Sequence, residues 1–187
     1  MKTDTSEKGL ETLIVATMTG DGPDRWIQGN PSDYNRDYAV DVVHLLAFLK
    51  ETQPEAAAAF DLENDSPIRQ KFLARLQGEI SKRGVIDVLR HGVKHGAASL
   101  DLFYGTPSPG NPKAAERFAA NRFTVTRQLR YSNDETQRAL DLCIFINGLP
   151  IATFELKNNL TKQTYEDAIE QYKRDRDPRE RLFEDCV

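Results

Sequence analysis

The sequence predicts an α/β fold: a mixed sheet that includes an antiparallel hairpin, flanked by helices and preceded by a mainly helical N-terminal half. Three observations carry this. Apolar residues recur at helical spacing through most of the first hundred positions, then alternate after the breaker GTPSPGNP at Gly105 to Pro112. Asn147-Gly148 stands between two apolar runs, a strong short-range hairpin signal. Tyr165, Ala168, Ile169 and Tyr172 then fall at the i, i+3, i+4, i+7 spacing of an amphipathic helix. Helices, antiparallel strands and a further helix together make an α/β unit.

Taken in order, Leu10, Leu13, Ile14 and Met18 share a helical face after the start signal Asp4-Thr5-Ser6. Gly20 to Pro31 is punctuation. Val40 to Phe48 and residues 54–60 read as short helices, and Ser66-Pro67 opens a longer one through Ile68, Phe72, Leu73, Leu76 and Ile80. Val85 to Leu89 continues or restarts it, and Leu100 to Tyr104 is short and ambiguous. The breaker that follows divides a helical portion, 1–112, from a sheet-and-helix portion, 113–187, within one domain's worth of chain. A short helix near 113–120 precedes a strand from Phe123 to near Arg130, where apolar residues alternate with threonines. Leu140 to Ile146 and Leu149 to Leu156 are the arms of the hairpin. Thr164 or Thr161 caps the last helix.

Composition narrows the class. Of 187 residues, 39% are hydrophobic and 29% charged, so the chain is globular and on the polar side. No run approaches the ~20 apolar residues of a membrane span. The N-terminus has no hydrophobic signal region, and two cysteines make no disulfide framework. No membrane association and a cytoplasmic location are the expectations. A net charge of -4 argues against a general polyanion binder. Cations nevertheless cluster locally, from Lys113 to Arg130 and from Lys173 to Arg181, where they could meet phosphates or simply form a solvated face.

The stretch DLCIFINGLPIATFELKNN, Asp141 to Asn159, holds the chemistry. Phosphodiester hydrolysis needs a deprotonated water and neutralised phosphoryl charge. Mg²⁺ on one or two carboxylates serves both needs, and a lysine beside it orients or helps activate the water. Asp141, Glu155 and Lys157 supply two oxygen ligands and an ammonium, and the Leu156 carbonyl can add another oxygen. Glu155 and Lys157, two apart on a strand, share a face. Alone, Glu-x-Lys proves nothing in a chain this charged; the buried-looking strand before it and Asp141 on the partner strand give it weight.

Register makes this testable. If Asn147-Gly148 is a clean two-residue loop, Ile146 faces Leu149 and Leu140 faces Glu155, turning Asp141 to the opposite side of the sheet. A cluster needs Asp141 opposite Glu155, and so a three-residue loop or a bulge. Pro150, lacking an N–H, makes an irregular start to the third strand plausible. Further on, Gln171 lies four residues from both Asp167 and Asp175, a polar row that could orient substrate or Lys157 or could be a solvated face.

The segments FTVTRQLRYS, LDLCIFINGLPIATFELKNNLTKQTYEDAIEQYKRDRDP and RLF together resemble the N-terminal nuclease domain of the restriction (R) subunit of type I restriction enzymes, in the PD-(D/E)xK nuclease superfamily. The resemblance is strong from about Asn121 to Phe183, and LRHGV at Leu89 to Val93 is similar too. It implies a restriction-endonuclease-like core and the activity of a type I site-specific deoxyribonuclease. By that resemblance the domain would be a Mg²⁺-dependent endonuclease cutting duplex DNA without sequence choice of its own. Asp141 and Glu155 would be catalytic carboxylates binding metal and Lys157 the catalytic lysine. Glu11, or alternatively Glu7, would near the metal from the first helix. Gln171 would orient substrate, while the family's usual tyrosine four residues later is Asp175 here. Arg127, Gln128, Arg130, Lys173 and Arg174 would contact DNA. Expected partners are the modification and specificity subunits and the chain's own motor domains if it is a fragment. ATP would bind only a full-length motor subunit, since this chain has no G-x-x-x-x-G-K-[ST] loop.

Two other readings stay open: a free-standing nuclease of repair or structure-specific type, and a DNA-binding or docking module with a decayed site. His91 and His95 have the i, i+4 spacing of zinc ligands but no third partner, which favours polar packing. Trp26 and Tyr34 read as loop anchors more than as base-stacking platforms, and Cys143 as a small core residue.

Overall fold

A computed structural model describes residues 6–22, 26–133, 138–157 and 164–186. Eight helices are assigned among them: α1 (Glu7–Met18), α2 (Val42–Thr52), α3 (Pro54–Ala59), α4 (Pro67–Arg83), α5 (Val85–His91), α6 (Pro112–Ala119), α7 (Tyr165–Asp175) and α8 (Arg181–Asp185). The strands are β1 (Ile27–Gly29), β2 (Tyr34–Asn35), β3 (Val40–Asp41), β4 (Val93–His95), β5 (Ala98–Leu100), β6 (Phe123–Leu129), β7 (Leu140–Ile146) and β8 (Leu149–Phe154). The main sheet runs β1-β6-β7-β8 and is mixed: β1 is parallel to β6, and β7 is antiparallel to both β6 and β8. The α/β class and the hairpin are as expected. β1, however, lies inside the segment read as punctuation, and β2–β3 and β4–β5 form two small ladders within the portion read as mainly helical.

Helix starts follow local chemistry. The Ser6, Asp41, Ser66 and Asn111 side chains each accept from a backbone N–H in the first turn of α1, α2, α4 and α6. Thr164, rather than Thr161, caps α7, in a capping box with Asp167. Gly84, with φ 83°, separates α4 from α5, so Val85 to Leu89 restarts the helix.

The sheet is covered on both faces. Val15 of α1 packs with Val125 and Leu142, joined by Ile14, Met18, Trp26 and Leu156. Cys143 and Phe145, alternating with Leu142, point the other way into a cluster with Tyr34, Leu182, Tyr172 and Phe183. α1 and the α7–α8 region therefore approach β7 from opposite faces. The largest core lies among α2 to α5 and includes Leu149 from the turn end of β8. Trp26 rests against Phe123 and Tyr34 against Phe145, as loop anchors do. His95 packs edge-on against Phe60 and Phe72, while His91 Nδ1 lies 2.9 Å from Asp87. These are packing roles.

One face departs from expectation. α1 buries Glu11 and Val15, whereas Leu13 is 60% exposed. The helix is rotated so that a carboxylate faces the sheet, because partners on β6 await it.

The hairpin turn is held firmly. Asn147 and Gly148 have φ of 50° and 80°, the left-handed pair of a type I′ turn. Asn147 is buried: its Nδ2 donates to the Leu102 carbonyl and to Asn121 Oδ1, both at 2.9 Å, and its Oδ1 accepts from Arg122 N at 2.6 Å. The Gly148 carbonyl accepts from Asp41 N at 2.8 Å, pressing the turn onto the start of α2. A Cβ at Gly148 would strike the Asp41 carbonyl and come within 2.7 Å of Leu45 Cβ. Gly148→Ala should therefore cost about 3 kcal/mol in urea unfolding, from combined overpacking and left-handed backbone strain; a cost below about 0.5 kcal/mol would show the turn is not seated there.

Asp185 of α8 is 2% exposed, and neither carboxyl oxygen has a hydrogen-bond partner among the described residues. Burial, with Glu184 adding to it, pushes its carboxyl from the ordinary 3.8 up to about 7. The folded chain thus holds a proton there that the unfolded chain releases above about pH 4. Stability falls as pH rises through this window, because the unfolded state binds fewer protons. Asp185→Asn should match wild type near about pH 4 and exceed it at about pH 8 by on the order of 3 kcal/mol. Denaturant midpoints measured at both pH values check this.

Candidate active site

The hairpin leaves its turn in the simple two-residue register, with Ile146 opposite Leu149 and Phe145 opposite Pro150. The register then shifts between Phe145 and Ile144, which pairs with Ala152; Cys143 pairs with Thr153 and Leu142 with Phe154. Ile151 is the extra residue of a bulge directly after Pro150. The next pair outward in the shifted register is Asp141 and Glu155. The contact is direct at this end: Leu156 N donates to Asp141 Oδ2 at 2.7 Å. The irregularity expected near Pro150 is present, and it lies beyond an unbulged turn.

The other Asp141 oxygen faces β6. Gln128 has φ 49°, an uncommon backbone for a non-glycine residue. Its Nε2 donates to Asp141 Oδ1 at 3.3 Å and to Glu11 Oε2 at 2.8 Å. One amide thus bridges a carboxylate of the hairpin and a carboxylate of α1. Arg127 Nε donates to the other Glu11 oxygen, and its Nη2 reaches Thr12 Oγ1 at 3.2 Å. The Glu11 side chain is 4% exposed. Glu7, Lys8, Glu11, Arg127, Gln128 and Asp141 line an open cleft of about 400 Å³. Both first-helix glutamates border it, and Glu11 is the one tied to Asp141.

On the other side, Glu155 is also 4% exposed. Gln171 Nε2 donates to its Oε2 at 3.3 Å, so the polar row of α7 does reach the strand end. Tyr172, next to Gln171, shares a hydrogen bond with Thr153 Oγ1 at 3.0 Å, which docks α7 on β8. The Glu155 Oε1 accepts from Arg176 Nη2 in a buried ion pair. Arg176 also donates from Nη1 to Tyr131 Oη at 3.0 Å and from Nη2 to the Ala139 carbonyl at 3.1 Å. Its guanidinium lies 5.4 Å from the centroid of the Tyr131 ring. Sequence reasoning missed Arg176 as a site residue. It was one cation among several in a charged tail, and only the tertiary fold shows that it alone turns inward.

Lys157 is half-buried in the segment leaving β8, two residues beyond Glu155. Lys173 and Arg174 are exposed on α7 and pair with Glu170 at 3.8 and 2.8 Å. Arg130 is exposed, and its carbonyl accepts from Arg36 Nε at 3.3 Å. The side chain of Asp175 lies outside the described residues.

The donor set suits a hard cation: carboxylate oxygens from Asp141, Glu155 and Glu11, with no sulfur or imidazole. Among the described residues, no three histidine, cysteine, aspartate or glutamate side chains are grouped closely enough to hold a metal as they stand. Each carboxylate is instead satisfied by protein donors. Mg²⁺ requires only one or two carboxylates and keeps several waters, so Asp141 and Glu155 meet its chemical demand.

A mixed sheet whose bulged hairpin aligns an aspartate and a glutamate, with a lysine two residues on, defines an α/β domain with a carboxylate-lined site at one sheet end. Residues 101–184 match the family described as type I restriction enzyme R protein N terminus (HSDR_N). A Methanocaldococcus jannaschii protein named as a type I restriction enzyme MjaIXP endonuclease subunit is 43% identical over 58 residues, covering 31% of this chain and 5% of that protein. The chain therefore corresponds to a small part of that relative. No solved structure matches it. The family match includes Asp141, Glu155, Lys157, Gln171 and Arg176 but not Glu11.

The Glu11 side chain is nearly fully buried, and its two oxygens are held by Arg127 and Gln128. Arg127→Met should destabilise the chain by about 3 kcal/mol, because it strands a buried carboxylate. Adding Glu11→Gln should restore most of that loss. A double-mutant cycle on denaturant midpoints measures the coupling.

Proposed function

We propose that this chain is the nuclease domain of a type I restriction enzyme R subunit: a Mg²⁺-dependent endonuclease that hydrolyses phosphodiester bonds of duplex DNA without sequence preference of its own. The observation that carries the reading is the bulge at Ile151, which sets Asp141 against the Glu155-Leu156 segment instead of turning it to the other face.

In this reading Asp141 and Glu155 hold the metal, with the Leu156 carbonyl as a further oxygen ligand and Glu11 nearby. Bound Mg²⁺ would neutralise phosphoryl charge and acidify water. Lys157, two residues beyond Glu155, would be the group that orients the attacking water by donating to its oxygen. Gln171 holds the Glu155 carboxylate from α7. Arg130, Lys173 and Arg174 offer exposed cations to the phosphate backbone. Arg127 and Gln128 serve Glu11 first, and would contact DNA only from that position.

Such a domain takes its sequence specificity and its modification partner from other subunits. ATP is used by motor domains elsewhere in the R subunit, and the substrate is duplex DNA in the cytoplasm. Among the described residues no helix is long and apolar enough to cross a membrane.

The test is nicking of supercoiled plasmid with Mg²⁺ or with chelator, in parallel with a DNA-binding assay. Asp141→Ala and Lys157→Ala should each lower Mg²⁺-dependent cleavage by on the order of a hundredfold or more while DNA binding persists. Cleavage that survives both chelation and Lys157→Ala would sink the nuclease assignment.

A further inference from the structure

We infer that Arg176 is the resident counter-cation of Glu155, and that its guanidinium and a divalent cation compete for that carboxylate. The inference rests on the nuclease reading, in which Glu155 is a metal ligand.

The geometry is that of a built-in cation site. Arg176 and Glu155 are each 4% exposed at their side chains, so neither charge is shielded by bulk water. A buried carboxylate demands a compensating charge, and here the protein supplies it. The guanidinium is fixed from three directions: Tyr131 Oη at 3.0 Å, the Ala139 carbonyl at 3.1 Å and Glu155 itself. Ala139 lies two residues before Asp141, so one side chain ties the start of β7 to the end of β8. Arg176 thereby holds the paired strand ends together and sets positive charge where a metal ion would be drawn.

A divalent cation arriving at Glu155 meets a full positive charge on its own ligand. At this range, with little water between, the repulsion is large even at the effective dielectric of a protein interior. Metal loading therefore requires Arg176 to withdraw from Oε1 or to share the carboxylate at reduced affinity. The remaining donors on the three carboxylates differ in kind: Gln128, Gln171 and Leu156 N are neutral, and Arg127 serves Glu11 from the other face. Arg176 is the cation placed on a hairpin carboxylate among the described residues. Its position also links loading to the segment after α7, since Arg176 is the residue at which that helix ends.

The experiment is Mn²⁺ binding to the whole chain, followed by electron paramagnetic resonance, for wild type, Arg176→Met and Arg176→Lys. Arg176→Met should bind Mn²⁺ about tenfold more tightly, because Glu155 has lost its resident charge. Arg176→Lys should stay near wild type. Unchanged or weaker binding in a folded Arg176→Met overturns the competition, and leaves the nuclease reading intact if Asp141→Ala still abolishes Mn²⁺ binding. Arg176→Lys as tight as Arg176→Met assigns the effect to shape, not charge, and overturns it as well. If wild type and Arg176→Met both bind no Mn²⁺, the nuclease reading fails and this inference with it. Should Arg176→Met not fold, Tyr131→Phe removes one anchor of the guanidinium; it should tighten Mn²⁺ binding about twofold, and no change would overturn the competition.

Discussion

One extra residue in β8 decides which side chains meet across the hairpin. Side chains alternate along a strand, so a shift of one position moves every later residue to the other face. Before the bulge the pairing is the one that the Asn147-Gly148 turn imposes; after it Leu142 pairs with Phe154, the register that leads Asp141 rather than Leu140 toward Glu155. Pro150 makes the shift inexpensive, because it brings no N–H to the ladder and so none is left stranded. Both ends of the hairpin are tied down. The turn presses on the start of α2 through the Asp41–Gly148 hydrogen bond, and the far end closes through Leu156 N to Asp141. A slip back would break the second tie and turn Glu155 of the bulged strand to the opposite face from Asp141.

Bringing acids together creates a charge problem, and the solution shapes much of the surrounding structure. Glu11 and Glu155 are almost entirely buried, where an unpaired carboxylate is costly. Each is matched by an arginine, Arg127 on one face of the sheet and Arg176 on the other. Asp141, half-buried between them, takes neutral donors. The left-handed φ of Gln128 fits this role. It costs backbone energy, and it comes with an amide that reaches two carboxylates from a single position.

The parts legible in the sequence are those specified locally. β7 follows from alternation, the turn from Asn-Gly, α7 from its apolar spacing and its Thr164–Asp167 capping box. The bulge was legible as a requirement, from the mismatch between a two-residue turn and the need to pair Asp141 with Glu155. The rest depends on partners distant in the chain. β1 is three residues long, too short to show a period, and exists by parallel pairing with Thr124 to Thr126. Apolar spacing set Leu10, Leu13, Ile14 and Met18 on one face of α1, but Leu13 faces outward because Arg127 and Gln128 of β6 draw Glu11 to the sheet. Arg176 sits among other charged residues, and no spacing rule marks the one that will be buried.

The same contacts imply that assembling the site and docking the first helix are largely one event. α1 holds the sheet through a small apolar cluster around Val15 and through Glu11, whose two oxygens are bound by β6 side chains. Gln128 connects this helix to Asp141 directly, so a change in the charge at Asp141 is felt at Glu11 through one amide. On the opposite face, α7 reaches Glu155 through Gln171, and Arg176 follows at its end. The two hairpin carboxylates are thus each coupled to a different helix, and the sheet between them is what keeps those helices in step. In the proposed reading, a cation that drew Asp141 and Glu155 together would pull on both helices at once, and helix docking would then be linked to metal binding.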